Sequence, residues 1–551
     1  MPALPGQRAP VLLELDLTAL PVSPDHDDPL ARLRARGRAK FAPTLKALHD
    51  AATEKNVVGL IAKVGGPLPW AGMQELRLAV AAFTAGGKPA VAWAESFGEG
   101  GGDTAAYVLA TGFAEVWLQP GGSIGLLGVG LETTFLRGAL DKIGVEPQLE
   151  QRHEYKNAAD RVQRTEFTPA HRESLQRLAE STLDEAVSAI AVSRGLPESR
   201  VRELVDTGPR TATEAQAVGL VDQLGYRDQV YAAVRARVAQ DAELLFADRW
   251  RPRSRPRLPA LRKAHVALVE VRGAIVSGAT RRGPMGRQVG SDSVAGELRA
   301  ATADDQVKAV VLRVDSPGGS AVASETIWRE VCRVREAGLP VVVSMGEAAA
   351  SGGYYIACPA DVIVALPSTL TGSIGVFGGK FVLAGLLDKL GLTTGTIEEG
   401  ARSTMFSTRR GFSDDERARL AATIDATYDD FVTKVAQGRG RPYAEVEALA
   451  RGRVWTGRDA LGVGLVDELG GLRDAVRIAR QRAGLPDDAP VLPARHVPPL
   501  ARLRRAKNSE DPRSLVGAAL VGTGLPGFVE LATALGLPPG AALQMPVLTL
   551  R

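Results

Sequence analysis

Cysteine is scarce in this chain, since 551 residues include only Cys332 and Cys358, both inside apolar segments. Two such cysteines do not form a disulfide framework, and they are not at metal-ligand spacing. There is no His-Glu-x-x-His motif either. We therefore expect a reducing compartment, no metal site and no cofactor.

An excess of either charge is also missing. The chain has 67 Lys and Arg against 63 Asp and Glu, a net charge of +4, and aromatic residues make up 5%. Basic residues do not alternate with aromatic residues in the manner of a nucleic-acid surface. We therefore expect no nucleic-acid partner.

Long apolar runs are missing as well. No segment offers the roughly 20 uncharged, proline-free apolar residues of a spanning helix. Residues 531–550 carry no charge but contain Pro538, Pro539 and Pro546. The N-terminus lacks a basic region followed by an apolar core, so we see no signal peptide or N-terminal anchor. These features predict a cytoplasmic protein.

What the chain does contain is an internal duplication. Three pairs of similar segments occur in the same order: 122–128 (G-S-I-G-L-L-G) with 372–378 (G-S-I-G-V-F-G), 135–145 with 381–392, and 215–225 with 460–470. Ordered matches of this kind indicate two copies of one unit. We predict a first copy at 1–248, a linker at 249–263, a second copy at 264–490 and a C-terminal tail at 491–551.

The linker is basic and rich in proline, and the tail begins with a basic stretch at 502–507 before it becomes apolar. Such segments are typical of solvated connections. Basic clusters also bind anionic lipid headgroups. The sequence therefore leaves open a peripheral contact with the cytoplasmic face of a membrane.

Within the copies, β-branched runs alternate with amphipathic segments. In the second copy we expect strands at 266–271, 309–314, 341–343 and 362–365, and helices at 324–336 and 414–437. This alternation predicts an α/β fold in which largely parallel sheets are flanked by helices.

One stretch of the second copy suggests chemistry. After the strand at 341–343, a turn of small residues is expected at 346–350, and Ser351-Gly352-Gly353 then opens an apolar helix. Amide groups and the helix dipole at such a turn favour developing negative charge. Ser351 is therefore a candidate nucleophile. The alternative is a serine that simply caps the helix.

A serine nucleophile needs a base. The second copy offers only His265 and His496, neither in a segment typical of a catalytic loop. A buried lysine with a lowered pKa is the other usual base. The first copy holds Lys156 where the second has no lysine, and it has no equivalent of Ser351. Each copy thus lacks the residue that the other has, which predicts one composite site formed by Ser351 and Lys156. There are two alternatives: His153 is a rival base, and Lys156 itself is an ordinary solvated surface lysine.

Two glycine-containing motifs accompany the serine. In D-S-P-G-G-S at 315–320, an amide of Gly318 or Gly319 could form an oxyanion hole with the Gly352 amide, although the same motif also suits a plain β-turn. Ser373, in T-G-S-I-G, is expected to line the cleft. Because G-S-I-G also occurs in the first copy, a structural role for this motif is favoured.

Taken together, four segments resemble the long, duplicated form of signal peptide peptidase A (protease IV), a Ser/Lys peptidase of the ClpP/crotonase superfamily. They are R-V-D-S-P-G-G-S at 313–320, A-S-G-G-Y-Y-I-A at 350–357, S-T-L-T-G-S-I-G-V-F at 368–377 and E-Y-K-N-A-A-D at 154–160. The resemblance spans roughly residues 50 to 480.

The resemblance implies a ClpP/crotonase-like fold in each copy, with Ser351 as nucleophile and Lys156 as general base. It further implies a homo-oligomer, expected to be a tetramer, that hydrolyses signal-peptide remnants and other hydrophobic peptides. Long members from Gram-negative bacteria resemble anchored periplasmic proteins, and no such anchor is seen here. The natural substrate therefore stays open.

Two other functions fit parts of the sequence. A crotonase-type acyl-CoA enzyme would use the glycine amides without Ser351, so its activity would survive Ser351→Ala. A non-catalytic membrane-associated scaffold would explain the basic linker and the apolar tail. Labelling of Ser351 by an active-site serine reagent would count against that scaffold.

Overall fold

A computed structural model describes residues 9–21, 39–252, 263–283, 286–494 and 542–544. Most of the expected linker at 249–263 therefore lies outside the described residues. The same holds for the tail at 491–551, apart from residues 491–494 and 542–544, and for the basic stretch at 502–507.

The strands of the described chain are, in order, β1 (Val11–Leu17), β2 (Val57–Val64), β3 (Ala90–Ala94), β4 (Glu115–Leu118), β5 (Ser123–Ile124), β6 (Glu146–Arg152), β7 (Arg210–Thr211), β8 (Gln223–Leu224), β9 (Glu243–Phe246), β10 (His265–Arg272), β11 (Ala274–Val276), β12 (Arg281–Gly283), β13 (Gly286–Gly290), β14 (Val307–Ser316), β15 (Gly318–Ser320), β16 (Val341–Ala350), β17 (Val362–Ala365), β18 (Leu370–Gly372), β19 (Val376–Val382), β20 (Val454–Thr456), β21 (Glu468–Leu469), β22 (Val491–Pro493) and β23 (Ala542–Gln544).

The helices are α1 (Phe41–Thr53), α2 (Trp70–Thr84), α3 (Thr104–Ala110), α4 (Arg137–Ile143), α5 (Asp160–Gln163), α6 (Pro169–Arg194), α7 (Glu198–Asp206), α8 (Ala212–Ala217), α9 (Arg227–Val238), α10 (Ser291–Ala303), α11 (Ala321–Glu336), α12 (Gly352–Ala357), α13 (Ala384–Lys389), α14 (Asp414–Arg439), α15 (Tyr443–Leu449), α16 (Gly457–Gly462) and α17 (Leu472–Arg482). Within the described ranges, none of these helices has both the length and the apolar character needed to cross a bilayer.

The described residues fall into two compact units. The first unit comprises those within 1–131 and 179–259, and the second comprises those within 132–178 and 260–549. These units do not follow the boundary between the two sequence copies. Residues 132–178, which include Lys156, belong to the first copy in sequence but to the second unit in the fold.

The first unit is built on a parallel sheet. Its described strands lie in the order β8-β4-β3-β2-β1-β9 and every pairing is parallel. Neighbouring residues of a strand enter opposite cores: Leu13 and Leu60 pack in one cluster, and Leu12 and Ile61 in another. Because both faces of the sheet are covered, these strands are almost continuously apolar.

The second unit repeats that architecture. Its described strands β22-β10-β14-β16-β17-β21 pair in parallel, in the same relative order as β9-β1-β2-β3-β4-β8 of the first unit. At β16 the sheet branches: residues 342–344 pair with β17, and residues 348–350 pair with β18, which in turn pairs with β20. The predicted α/β fold of two similar copies is confirmed.

Equivalent polar contacts recur within the two copies. In the first unit the Tyr107 hydroxyl donates to Leu220 O, as the Tyr354 hydroxyl donates to Leu465 O in the second. In the first unit Asp222 binds Arg194 and accepts from the Val116 amide; in the second, Asp467 binds Arg439 and accepts from the Ile363 amide. Such agreement is expected from a duplication that kept the polar contacts of its fold.

A second sheet lies within the second unit. Its described strands lie in the order β12-β13-β11-β15-β23-β19-β6. Strands β6 and β19 are antiparallel over their full lengths, from Glu146 opposite Val382 to Arg152 opposite Val376. This pairing brings the chain that follows β6 next to the start of β19.

The local predictions hold with two corrections. The strands expected at 266–271, 309–314 and 362–365 are present, and the helices at 324–336 and 414–437 are slightly longer than expected. The turn expected at 346–350 is wrong, because β16 continues to Ala350 by pairing with β18. A plain β-turn at 315–320 is also wrong, because Gly318–Ser320 form strand β15.

We predict that Asp467→Ala destabilises the second unit by about 2 kcal/mol, because the variant leaves the Ile363 amide and the buried Arg439 guanidinium without their shared acceptor. The free energy of urea unfolding measures this loss. The adjacent Glu468→Ala is the matched control, since its pair with Arg477 is long and exposed and is expected to contribute less than about 0.5 kcal/mol. Equal stability of the two variants would contradict the prediction.

Candidate active site

Ser351 lies where β16 ends and α12 begins. Its side chain is fully buried, and its φ of 54° is rare for a residue with a side chain. Its amide donates to Gly372 O at 2.7 Å, and its carbonyl accepts from the Tyr355 amide at 2.8 Å. Ser351 thus occupies the cap position of α12, but among the described residues its hydroxyl makes no capping bond to that helix. The hydroxyl is available for another partner.

That partner is Lys156, which follows β6 and is fully buried. Lys156 Nζ lies 2.9 Å from Ser351 Oγ, 2.9 Å from Ser373 O and 3.0 Å from Ser373 Oγ. A neutral amine has two N–H groups and one lone pair. Its two N–H groups can be donated to the Ser373 oxygens, and its lone pair then faces the Ser351 hydroxyl. The structure therefore brings the predicted nucleophile and base into hydrogen-bond contact.

The environment favours that neutral form. Burial lowers the pKa of Lys156 well below the ordinary lysine value, because the ammonium ion loses its hydration. Among the described residues, no carboxylate forms an ion pair with Lys156 that would oppose this effect. The amine can therefore accept a proton at a pH where an exposed lysine cannot.

The backbone of Lys156 is held by the segment after α15. The Tyr155 amide donates to Arg451 O at 3.2 Å, and the Gly452 amide donates to Ile374 O at 2.8 Å. Gly452 has a φ of +86°, and a Cβ atom built on it would lie 2.4 Å from Lys156 N. Only glycine fits there. Sequence reasoning missed Gly452, because a lone glycine between two arginines has no pattern that distinguishes it.

Ser373 has a more specific position than the sequence suggested. It was expected to line the cleft in a structural motif, and the structure places both its oxygens on Lys156 Nζ. Its backbone is fixed by a 2.7 Å bond from its amide to Arg453 O. In the first unit the equivalent Ser123 instead lies 3.1 Å from Ser96 Oγ. The shared motif therefore serves different partners in the two copies.

Three glycines predicted to bind an oxyanion border the serine. Gly318 and Gly319 are in β15, and a Cβ built on Gly352 would lie 3.1 Å from Gly319 N and 2.6 Å from Ser324 Oγ. A side chain at residue 352 would fill this space. The Gly318 amide donates to Ser316 Oγ at 3.1 Å, so it is already engaged. Of the predicted donors, the Gly319 and Gly352 amides are the better candidates.

The histidines occupy other positions. The His153 ring packs edge-on against Tyr428, with ring centroids 4.8 Å apart. The His265 ring lies 3.0 Å from Lys263 O, and His496 is outside the described residues. The nitrogen in contact with Ser351 Oγ belongs to Lys156 and not to the rival base His153.

The first unit has no comparable pair at its equivalent turn. Counting back from the equivalent tyrosines Tyr107 and Tyr354, Thr104 stands in the place of Ser351, and its hydroxyl donates to Gly128 O at 2.9 Å. Within the part of the chain that the structure describes, no group of three His, Cys, Asp or Glu side chains is arranged to hold a metal ion. The site of the second unit combines a buried amine, a hydroxyl and glycine amides. These are the groups that nucleophilic acyl transfer requires.

Comparison with known proteins identifies a matching family and several similar proteins. The family model for Peptidase family S49 matches residues 82–241 and 333–486. Protease 4 of Salmonella typhi is 32% identical over 507 residues, which cover 87% of this chain and 79% of that protein. Protease 4 of Haemophilus influenzae is 31% identical over 465 residues, which cover 81% and 73%.

Two further matches extend the comparison. The chloroplastic serine protease SPPA of Arabidopsis thaliana is 30% identical over 464 residues, which cover 82% of this chain and 66% of the plant protein. Among solved structures, a ClpP1 mutant from Listeria monocytogenes matches 39% of this chain and 95% of its own, with 15% identity and a TM-score of 0.25.

The buried amine gives a pH-dependent prediction for stability. Between the lowered pKa of folded Lys156 and the ordinary value near 10.4, the unfolded chain binds one more proton, so this residue makes stability rise with pH by up to about 1.4 kcal/mol per unit. Lys156→Met removes that slope. The variant should therefore be more stable than wild type near pH 7, and its advantage should shrink as pH rises toward 10.

Urea unfolding of the second unit at several pH values measures this difference. The exposed Lys308→Met serves as the control, and its difference from wild type should not change with pH in this range. A Lys156→Met difference that is constant with pH would show that the amine is not held neutral.

Proposed function

Because the chain belongs to Peptidase family S49, we propose that its second unit is a serine endopeptidase in which Ser351 is the nucleophile and Lys156 the general base. The observation that carries this proposal is the 2.9 Å contact between Lys156 Nζ and Ser351 Oγ in a fully buried setting. An acyl-CoA enzyme of the same fold would not require that contact.

The first half of the reaction acylates the serine. As Ser351 Oγ attacks the carbonyl carbon of the scissile bond, its proton passes to the lone pair of Lys156 Nζ. The carbonyl oxygen becomes an oxyanion. Lys156 then gives the proton to the leaving amine, the C–N bond breaks, and the acyl group remains on Ser351.

In the second half, a water molecule replaces the leaving amine. Neutral Lys156 accepts a proton from the water as its oxygen attacks the ester carbon. The tetrahedral intermediate collapses, Ser351 Oγ recovers the proton from Lys156, and the product leaves as a carboxylic acid that ionises by releasing its own proton to solvent. Ser373 keeps Lys156 Nζ in position through both halves, because its two oxygens stay within hydrogen-bond distance of the amine.

Stabilisation of the oxyanion is assigned to the Gly319 and Gly352 amides. Support comes from the approach of these residues beside Ser351, and from the absence of side chains that would fill the space. Removing one such donor typically lowers kcat by 10² to 10³. Gly318 shapes the same strand, while its own amide is bound to Ser316 Oγ.

The substrates are proposed to be hydrophobic peptides, signal-peptide remnants among them. This rests on the resemblance of the sequence motifs to signal peptide peptidase A. We propose a homotetramer on the same basis. From the basic stretches at 249–263 and 502–507 we separately propose a peripheral contact with the cytoplasmic face of a membrane. Light scattering on the purified chain measures the subunit number, and a monomer would exclude the assembly without affecting the assignment of the catalytic pair.

Peptide hydrolysis by purified variants tests the catalytic pair. Ser351→Ala and Lys156→Arg should each lower kcat at least 10³-fold, because the first removes the nucleophile and the second replaces an amine base by a guanidinium that stays protonated. Ser344→Ala on the same strand and the buried Lys434→Arg are the matched controls, and we expect them to remain within a few-fold of wild type. Turnover by Lys156→Arg at the wild-type rate would exclude Lys156 as the base.

The pH profile tests the protonation state directly. Only neutral Lys156 can accept the serine proton, so kcat/KM should rise with pH through its lowered pKa and then level off. Lys434→Arg should give the same profile as wild type. A rate that falls across that range would contradict a neutral amine base.

A further inference from the structure

Two contacts of the proposed catalytic centre lead to the same residue, Arg453, which lies between α15 and β20. Its carbonyl accepts the 2.7 Å bond from the Ser373 amide, and Ser373 in turn holds Lys156 Nζ. Its side chain lies on Tyr155, the residue immediately before Lys156, with the guanidinium carbon 3.9 Å from the centroid of the tyrosine ring. Arg453 therefore contacts both the residue that holds the amine and the segment that carries it.

Further contacts fix the guanidinium over this ring. Arg453 Nη2 donates to Glu173 Oε1 at 2.7 Å, and the Tyr155 hydroxyl donates to the other oxygen of the same carboxylate at 2.9 Å. The centroid of the Trp455 ring lies 5.6 Å from the guanidinium carbon. A cation that stacks on a ring, and shares with that ring one carboxylate, has little freedom to move. The arginine and the tyrosine are thus held together as a unit.

The backbone around this unit is strained. Among the described residues, three that are not glycine have a positive φ: Ser351 (54°), Ser373 (50°) and Arg451 (54°). Such a conformation costs free energy in a residue with a side chain, and it persists only where surrounding contacts enforce it. Two of the three form the proposed catalytic centre. The third lies two residues before Arg453, and its carbonyl accepts from the Tyr155 amide.

The copy without a candidate nucleophile lacks this side chain. The cap residues Thr211 of α8 and Thr456 of α16 are equivalent, and three residues before them stand Gly208 and Arg453. A Cβ atom built on Gly208 would lie 2.6 Å from Leu126 O, so a side chain does not fit there. The arginine is therefore a feature of the copy that contains the candidate nucleophile, and not of the shared fold.

We propose that Arg453 is a positioning residue for the general base, Lys156. Its side chain clamps Tyr155 and its carbonyl fixes Ser373, and together these contacts keep the amine away from water and directed at the nucleophile. This inference rests on the proposed function, because it concerns the amine that acts as base there. Without the arginine side chain, the tyrosine segment can move and water can reach the amine. A displacement of about 1 Å in a catalytic group can lower a rate by about 10².

Peptide hydrolysis by the full-length Arg453→Ala chain tests this role. We expect kcat to fall at least tenfold while KM stays within about threefold, because the arginine side chain contacts other residues of the site's support. Arg453→Lys keeps the cation without the planar stacking group and should recover part of the lost kcat. Arg477→Ala, which removes an exposed arginine with only long ion pairs, is the control and should match wild type. A kcat of Arg453→Ala equal to that of wild type would overturn the proposal.

The pH profile separates positioning from a merely structural role. If water reaches the amine, the pKa of Lys156 moves up toward the ordinary lysine value, so kcat/KM should rise at a pH higher than in wild type by at least about half a unit. The titratable groups in contact with Arg453 stay outside this range. Burial raises the pKa of Tyr155, and the bonds from Arg453 and Tyr155 lower that of Glu173. A lower rate with an unshifted midpoint would show a structural role only and overturn the proposal.

Labelling by a fluorophosphonate gives the same midpoint without peptide hydrolysis. The rate at which Ser351 is labelled should increase with pH in wild type, and at a higher pH in Arg453→Ala. If the alanine chain does not fold, Arg453→Lys carries the same comparison, and its midpoint should also lie above that of wild type. Equal profiles of wild type and variant would overturn the positioning role even if peptides are hydrolysed. Shifted profiles in a chain whose wild type hydrolyses no peptide would refute the peptidase and retain the role of Arg453.

Discussion

The contact on which the site depends is the hydrogen bond between Lys156 Nζ and Ser351 Oγ, made where water is excluded. Burying an amine is unfavourable unless its polar atoms find partners, and here Ser373 supplies two acceptors from one residue. Burial keeps the amine neutral, and its two bonds to Ser373 direct its lone pair at the hydroxyl. Gly452 packs directly against the backbone of Lys156, and this close approach leaves no room for a side chain on residue 452. The chemistry therefore depends on a small set of contacts that involve no ion pair among the described residues.

Duplication explains why the proposed catalytic pair comes from two sequence copies. Both copies kept the fold-determining contacts, such as Asp222 with Arg194 and Asp467 with Arg439. The copies differ at the functional turns: Ser351 is present in one, and the hydroxyl of Thr104 in the other is bound to a carbonyl. Lys156 belongs to the first copy in sequence, yet its segment folds as part of the second unit. The proposed active site thus combines residues of two copies that no longer need to be alike.

The sequence predicted the fold class, because strand and helix periodicity are local. The asymmetry between the copies also predicted that Ser351 and Lys156 share one site, and the structure places their side chains in contact. Other features depend on contacts between distant segments. Strand β16 passes through the expected turn because β18 pairs with its second half. Three other features likewise join segments far apart in sequence. They are the two contacts of Ser373 with Lys156, the close fit of Gly452 against Lys156, and the pairing of residues 542–544 with β15. Nothing in the local pattern of one sequence indicates such partners.

The most direct measurement of the central claim is the identification of the serine that reacts with a fluorophosphonate reagent. After brief treatment of the full-length chain, digestion and mass spectrometry should find the label on Ser351, and Lys156→Met should abolish it while Lys308→Met does not. Label on a different serine, or label on Ser351 that persists undiminished in Lys156→Met, would contradict a hydroxyl activated by this amine.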